Sequence, residues 1–527
     1  MRRRAVLALL AVAACEAPFS IAPPVKNISI APDSASLETG DTLHLSAAVT
    51  DSAGHPVSTP IYWSTSADSI AFVSTSGVVT TRLPGQVTIR ASAGGLTDSV
   101  LIHVAPRITA VLIDQGDLLL PTGGAVSYTA STLDAQGDHL VGRPVTWTSQ
   151  DPDIVTISPG GGATALQPGS THVIASRGHV ADTVSVMIGT LHFTALRAGP
   201  ADHTCGLTDE SVAFCWGAND LGQLGVPALS QSTTPLASPH NPLFTQLTAG
   251  ATFSCGTSGS GTVYCWGSSA RGRLGAGVNQ LSTATPLVVA DSFTVAGLAS
   301  GWNHTCGFGM VGTICWGENP GAGGSGPITW NPHTIAGAPA FSVISASVGF
   351  GCGLSTDSTA YCWGVNDAGQ LGNGGINETT MPEAVAGRLK FIQVATGFSH
   401  ACGLRATGEV DCWGSSLYGQ LGRGDTASHS TPVAVSGGIA FVTIAAGGRR
   451  TCGATSDGTG YCWGDSLFAP AAIPGTVKFA SLTVGNAHAC GLAADGRGYC
   501  WGRNIRGQLG DGTFSDRTSP TLVLGQP

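Results

Sequence analysis

Seven times in this chain a cysteine is followed nine or ten residues later by Cys-Trp-Gly. Cys205 pairs in this way with Cys215, Cys255 with Cys265, Cys306 with Cys315, Cys352 with Cys362, Cys402 with Cys412, Cys452 with Cys462 and Cys490 with Cys500. Only Cys15 of the 15 cysteines is left over. The first cysteines of successive pairs are 50, 51, 46, 50, 50 and 38 residues apart. A unit of that length cannot bury a core alone, so repeats of this period stack into a propeller, solenoid or array.

Each repeat reads as short strands joined by tight turns. In the fifth, Phe391-Ile-Gln-Val-Ala, Gly397 to Leu404, Val410 to Gly414 and Pro432-Val-Ala-Val435 are apolar runs rich in Val, Phe and Trp, punctuated by Gly and Asp, without helical periodicity. Four strands in each of seven units match a β-propeller, which leaves no long exposed sheet edge. The opening strand, His192-Phe-Thr-Ala-Leu196, lacks the Pro-x-x-Val strand that precedes it elsewhere, and Pro520-Thr-Leu-Val-Leu524 ends the chain. Pairing the two would complete one blade from both ends.

The cysteine positions have a geometric reading. Residues facing each other across an antiparallel hairpin have a constant sum. Four of the pairs are centred on Glu210, Asp357, Asp457 and Asp495, in turns such as Ser456-Asp-Gly-Thr459. The sulfurs should therefore lie within disulfide reach. Reduced, buried cysteine is the plainer alternative, and zinc is disfavoured because the spacing is not Cys-x2-4-Cys.

These repeats resemble the regulator of chromosome condensation family through Ala-Gly-x-x-His-Thr-Cys-Gly-Leu, Tyr-Cys-Trp-Gly-x-Asn and Gly-Gln-Leu-Gly-x-Gly-Asp. The resemblance implies a seven-bladed propeller over residues 190–527. The family includes a plant ultraviolet-B photoreceptor and a secreted bacterial β-lactamase inhibitor, so the fold alone does not decide function.

The N-terminus reads as an export signal over residues 1–14. Met-Arg-Arg-Arg precedes ten apolar residues, Ala5 to Ala14, too few to span a bilayer. Val12-Ala-Ala-Cys15 resembles the bacterial lipobox, which implies cleavage before Cys15, lipidation of its thiol and anchoring to the cell envelope, periplasmic or surface-exposed. An oxidising compartment agrees with disulfides.

Behind a linker at 15–25, a second repeat of period 83–84 covers residues 26–105 and 106–189. Trp63-Ser-Thr-Ser66 recurs as Trp147-Thr-Ser-Gln150, and Pro84-Gly85 as Pro168-Gly169. Strand-period alternation, as in Val87-Thr-Ile-Arg-Ala91, suits a sandwich of about seven strands. The first unit resembles the bacterial group 2 immunoglobulin-like domain through Trp-Ser-x-Ser, Ala71-Phe-Val-Ser, Gly77-Val-Val-Thr and Gly85-x-Val-Thr-Ile. In the second, Gly160-Gly-Gly162 falls where a strand pair should turn. The expected class is thus all-β, two immunoglobulin-like β-sandwiches followed by a seven-bladed β-propeller. Such sandwiches are expected to act as a stalk.

Charge narrows the partners. Residues 16–189 carry a net −8 and residues 190–527 a net −4, so no basic footprint for nucleic acid exists. His203, His304, His400 and His488 precede first cysteines by two residues and could suggest a metal ring, but Phe253, Phe350 and Arg450 share the slot, which favours packing between blades. The Trp of each Cys-Trp-Gly reads as blade core. Gly301-Trp-Asn-His-Thr305 resembles the photoreceptor's chromophore motif but occurs once. Asp151-Pro-Asp153 lacks the rest of a calcium loop. No hydrolase, zincin or phosphate-loop motif is present, so no enzyme activity, cofactor or metal is expected.

Departures from the repeat mark candidate binding loops, because binding residues concentrate on loops held by rigid scaffolds. Gln-Leu-Gly-x-Gly is replaced by Gly321-Ala-Gly-Gly-Ser-Gly326 in repeat three and lost in repeat six, while repeat one carries an apparent insertion from Pro227 to Pro242. The candidate face is therefore Pro227, His240, Trp330 (expected to be exposed) and Phe468. The expected function is non-catalytic protein or glycan binding by a monomeric, lipid-anchored envelope protein. The alternatives are inhibition of an exported enzyme and, more weakly, nucleotide exchange.

Overall fold

The computed structural model describes residues 24–237, 241–277, 282–290, 293–310, 312–318 and 328–526. Nearly all regular structure is β, and among the described residues no helix is long and apolar enough to cross a membrane. By contacts the chain falls into two compact units, residues 1–110 with 132–143, and residues 111–131 with 144–527.

The first unit contains the N-terminal sandwich. One sheet orders Ser34–Glu38, Leu96–Ala105, Gly85–Ala93 and Tyr62–Thr65, with Ser34–Glu38 parallel to its neighbour. The other orders Thr42–His44, Val78–Thr81 and Ala71–Val73. Period-two alternation aims Val87, Ile89 and Ala91 inward with Val100, Ile102 and Val104, all buried.

The second unit opens with a sandwich of the same sheet order. Leu118–Pro121 runs parallel to Val180–Gly189, which pairs with Gly169–Arg177 and then Thr146–Ser149. The glycine run at 160–162 is the turn of a hairpin between Val155–Ile157 and Gly162–Ala165. Ser158 and Gly162 are bonded across it, and Gly161 takes φ 85° where a Cβ would strike the Tyr128 carbonyl.

Seven four-stranded antiparallel sheets follow, each made of strands consecutive in sequence. The first comprises Phe193–Ala198, His203–Thr208, Ala213–Ala218 and Gln231–Leu236; the last comprises Phe479–Val484, His488–Ala493, Gly498–Gly502 and Arg517–Leu522. The second strand of each sheet packs on the first strand of the next, and His488–Ala493 packs on Phe193–Ala198, so the sheets close a ring. They are the blades of a propeller.

The ring does not close by the expected pairing. Arg517–Leu522 stays in the seventh sheet, with Tyr499 opposite Leu522 and Gly502 opposite Arg517. The first sheet already has its fourth strand, because the apparent insertion between Pro227 and Pro242 contains Gln231–Leu236. The closing contacts are lateral: Leu191 N–H donates to the Gly525 carbonyl at 2.7 Å, Arg506 pairs with Asp220, and Val523 is buried beside Leu191 and Trp216.

Every fourth strand carries one proline: Pro235, Pro286, Pro332, Pro382, Pro432, Pro470 and Pro520. Proline lacks the N–H a further strand would need, so it belongs on an outer edge and protects it from pairing. In the first sheet that edge is partly covered. Leu119 and Ala237 exchange backbone hydrogen bonds of 2.9 and 3.3 Å, and Thr234 Oγ1 donates to the Ala125 carbonyl at 3.1 Å. The second sandwich thus contacts the first sheet of the propeller through these bonds. Leu229, from the presumed insertion, packs against the same core.

Candidate binding face of the propeller

All seven cysteine pairs are disulfide-bonded, each within its own hairpin, so the plainer reading of reduced cysteine does not hold. Cys205 is bonded to Cys215, Cys255 to Cys265, Cys306 to Cys315 and Cys352 to Cys362. In the remaining three sheets Cys402 is bonded to Cys412, Cys452 to Cys462 and Cys490 to Cys500. Each bridge joins residues directly opposite in the ladder between second and third strands. Their Cα atoms are 4.0–4.1 Å apart, as in the close, non-hydrogen-bonded pairs of an antiparallel ladder. All fourteen cysteines are buried. Cys15 lies outside the described residues.

At three of the seven junctions, a three-residue clamp joins one sheet to the next. His203 Nε2 meets the Ser254 hydroxyl at 3.1 Å, and that hydroxyl donates to the Gln223 carbonyl at 2.9 Å. His400, Thr451 and Gln420 repeat the pattern, as do His488, Thr204 and Gln508, which lock the seventh sheet to the first. Because the hydroxyl proton is committed to the carbonyl, the histidine must be the Nε2–H tautomer. The same carbonyls accept the indole N–H of Trp266, Trp463 and Trp216. The Gln-Leu-Gly loop is therefore a latch onto the next sheet, a role sequence reasoning missed.

Burial pushes the histidine pKa values down, to about 4 for His203 and His304 and about 3 for His400 and His488; for His488 the charges of His203 and Arg450 add to it. The slot thus has the packing role expected of it. Among the described residues no group of three His, Cys, Asp or Glu stands where it could hold a metal ion. His304 is the odd member. Its counterpart in the next sheet is Gly351, which has no hydroxyl, and its Nε2 is buried without a partner. A cavity of about 250 Å³ opens beside it, lined by Trp302, Glu318, Asp367 and Phe398, with the two rings edge to face at 5.4 Å.

Both faces of the ring carry ion pairs, among them Arg423 with Asp425 and Arg517 with Asp511 on the latch loops, and they differ in the apolar side chains that accompany them. Turns between second and third strands bear paired charges: Lys390 with Asp357 and Lys478 with Asp457, both at 2.8 Å, and Arg497 with Asp495 at 2.5 Å. These partners hold the three carboxyls below the usual carboxylate range. The opposite face carries the latch loops, and with them exposed Leu221, Leu417, Tyr418 and Ile505. Arg449 lies over the Tyr418 ring at 3.8 Å.

Phe468 joins this apolar group. Repeat six did lose its loop, but Asp465 and Ser466, at φ 48° and 78°, make a two-residue turn that keeps the sheet four-stranded. Leu467 and Phe468 then open the fourth strand, and Phe468 packs against Gly419 of the fifth sheet's loop while staying 41 % exposed. Gly424 N–H donates to the Phe468 carbonyl at 2.7 Å, and Ser466 N–H to that of Tyr418 at 3.0 Å. Of the other candidates, Pro227 is exposed and His240 lies outside the described residues. Trp330 is half-buried, because it sits within the strand Ile328–Thr334 and its carbonyl accepts the Gly277 N–H at 3.1 Å; it is not the exposed loop residue expected.

Comparison with known proteins fits this architecture. Residues 193–223, 244–273, 391–420 and 479–508 match one form of the Regulator of chromosome condensation (RCC1) repeat, and 260–308, 357–404, 407–454 and 495–527 match a second. The propeller is built of RCC1 repeats. Residues 24–104 match the bacterial Ig-like domain (group 2). The RCC1 propeller is similar in fold to human WBSCR16, at 21% identity and TM-score 0.54, over 59% of this chain and 94% of that one. It is likewise similar to Prp20p of Saccharomyces cerevisiae, studied with its binding to Gsp1p and histones, at 20% identity and TM-score 0.54, over 63% of this chain and 87% of that one. No curated protein matches the chain.

Proposed function

We propose that this chain is a non-catalytic, exported protein whose RCC1 propeller binds a protein partner through the latch-loop face. The observation that carries this reading is the patch of Leu417, Tyr418, Leu467 and Phe468, with Leu417 69 % exposed, on the latch-loop face. Solvent-exposed apolar and aromatic side chains grouped on a rigid rim are the composition of protein contact sites, where aromatic residues and Arg are enriched. The patch is centred on aliphatic and aromatic side chains, with Arg449 over the Tyr418 ring, which favours protein over glycan. That Prp20p, similar in fold, has been studied with protein partners agrees with the reading.

The test is crosslinking in envelope fractions. The full chain should yield a discrete crosslinked protein species that Leu417→Asp with Phe468→Asp diminishes at least tenfold, since a charge introduced into a desolvated contact centre costs about 2 kcal/mol or more. Both positions are exposed, so the variant should melt like the parent. Equal yield from parent and variant would dismiss the face, and a polysaccharide in the crosslinked species would favour the glycan reading.

Export and anchoring belong to the same proposal. Seven disulfides suit an oxidising compartment, and the lipobox-like segment before Cys15 suits acylation. Replacing Cys15 by Ser is expected to move the protein from the membrane pellet to the soluble fraction. Unchanged pelleting and unchanged electrophoretic mobility would refute the anchor.

A further inference from the structure

The axis of the propeller contains a charge that the fold does not neutralise. A cavity of about 310 Å³ runs among the first strands of all seven sheets. Opposite the first cysteine of each disulfide, one residue of the first strand faces this bore: Arg197, Thr248, Ala299, Ser345, Ala395, Ala445 and Thr483. Six are small, as the convergence of seven strands requires. The seventh is an arginine.

Arg197 has no acidic partner, for among the described residues no carboxylate lines the bore. Its Nε donates to the Leu247 carbonyl at 3.1 Å and Nη1 to that of Leu196 at 2.9 Å. A guanidinium has five N–H donors, so three remain. Arg197 is exposed to the solvent of the bore, and the protein around it lowers its pKa. Its charge is hydrated rather than paired within the protein, so the remaining donors are free to meet an anion entering the bore.

Donors stand on either side of it. Thr483, in the preceding sheet, accepts the Ala198 N–H at 3.1 Å; Thr248, in the following sheet, accepts the Ser300 N–H at 2.9 Å. With each oxygen receiving a backbone donor, each hydroxyl proton can turn into the bore. We propose that the bore is an oxyanion site, in which Arg197 and the hydroxyls of Thr248 and Thr483 hold a carboxylate or phosphate group. Charge-assisted hydrogen bonds from a guanidinium are the strong kind for such groups.

The variant that decides is Arg197→Thr, because threonine already fills two of the seven slots and will not disturb the strand. Inorganic phosphate and acetate would each be titrated at fixed ionic strength, balanced with sodium chloride, while the unfolding midpoint of the full chain is followed. A ligand that binds the native state raises that midpoint as its concentration passes the dissociation constant. The parent should gain several degrees from one of the anions and Arg197→Thr none; phosphate line broadening in ³¹P spectra should likewise depend on Arg197. Response to acetate would indicate a carboxylate source, and response to phosphate alone a phosphoryl group. Equal shifts in parent and variant, or no shift in either, would overturn the proposal.

Discussion

Full reduction of the seven disulfides is expected to unfold the propeller at ambient temperature and leave the N-terminal sandwich folded. Each bridge closes a hairpin loop of nine or ten residues, and the chain-entropy model gives each about 2.7 kcal/mol. Their combined value exceeds the roughly 5–15 kcal/mol by which native domains are stable. The bridges do not act alone, because each packs in one core with the Trp of the following sheet: Cys255 and Cys265 with Trp316, Cys352 and Cys362 with Trp413, Cys402 and Cys412 with Trp463. The sandwich of residues 26–105 contains no cysteine and has its own core around Val87, Ile89 and Ile102. Reductant cannot reach the buried sulfurs in the native state, so the protein must be reduced in denaturant, alkylated and returned to buffer. Calorimetry of oxidised and alkylated protein should then show one transition lost and the smaller one unmoved. Persistence of the larger transition in alkylated protein would show that packing alone holds the sheets.

Much of this construction was legible from local pattern. The turn centres at Asp357, Asp457 and Asp495 fix which cysteines face each other, because hairpin register depends only on residues between the partners. The same locality explains the failures. The latch role of Gln223, Gln420 and Gln508 rests on carbonyls that bond a tryptophan 43 residues onward or, at ring closure, in the first sheet, and nothing near the loop reveals it. The fourth strand of the first sheet could have been found. Thr234-Pro235-Leu236 repeats Thr285-Pro286-Leu287 and Thr431-Pro432-Val433, but the gap before it resembled an insertion. Recognising it would also have prevented the closure error, since a complete first sheet has no place for Thr521 to Leu524. For the binding face, the loss of a loop in repeat six was readable, whereas the turn at Asp465 and Ser466 that presents Phe468 beside Tyr418 needed the fold.

The histidine clamps should make the propeller acid-labile well above the range in which carboxylates titrate. A free histidine titrates near 6.5, while His203 and His304 are pushed down to about 4 and His400 and His488 to about 3. Between those values the unfolded chain takes up protons that the folded chain refuses, so stability is full above pH 6.5 and falls as the pH drops toward the folded pKa values. Each histidine then costs about 1.4 kcal/mol per pH unit, or up to about 2 kcal/mol at pH 5. The structural cause is plain: Nδ1 of His400 and His488 is buried without an acceptor for a second proton, while at His203 the Ala251 backbone offsets part of the burial. The sequence contains its own control. Where the slot is Phe350, the next sheet has Ala401 in place of the hydroxyl, and where it is Arg450 the next has Ala489. Converting one clamp to that form, His400→Phe with Thr451→Ala, should leave the unfolding midpoint near the parent's at pH 7, because the Gln420 carbonyl still receives the Trp463 N–H. At pH 5 the variant should be the more stable protein, with about a quarter of the acid loss removed. Thermal unfolding of both between pH 7 and 4 checks this, and parallel curves would mean that the clamp histidines are not the groups that take up protons on unfolding.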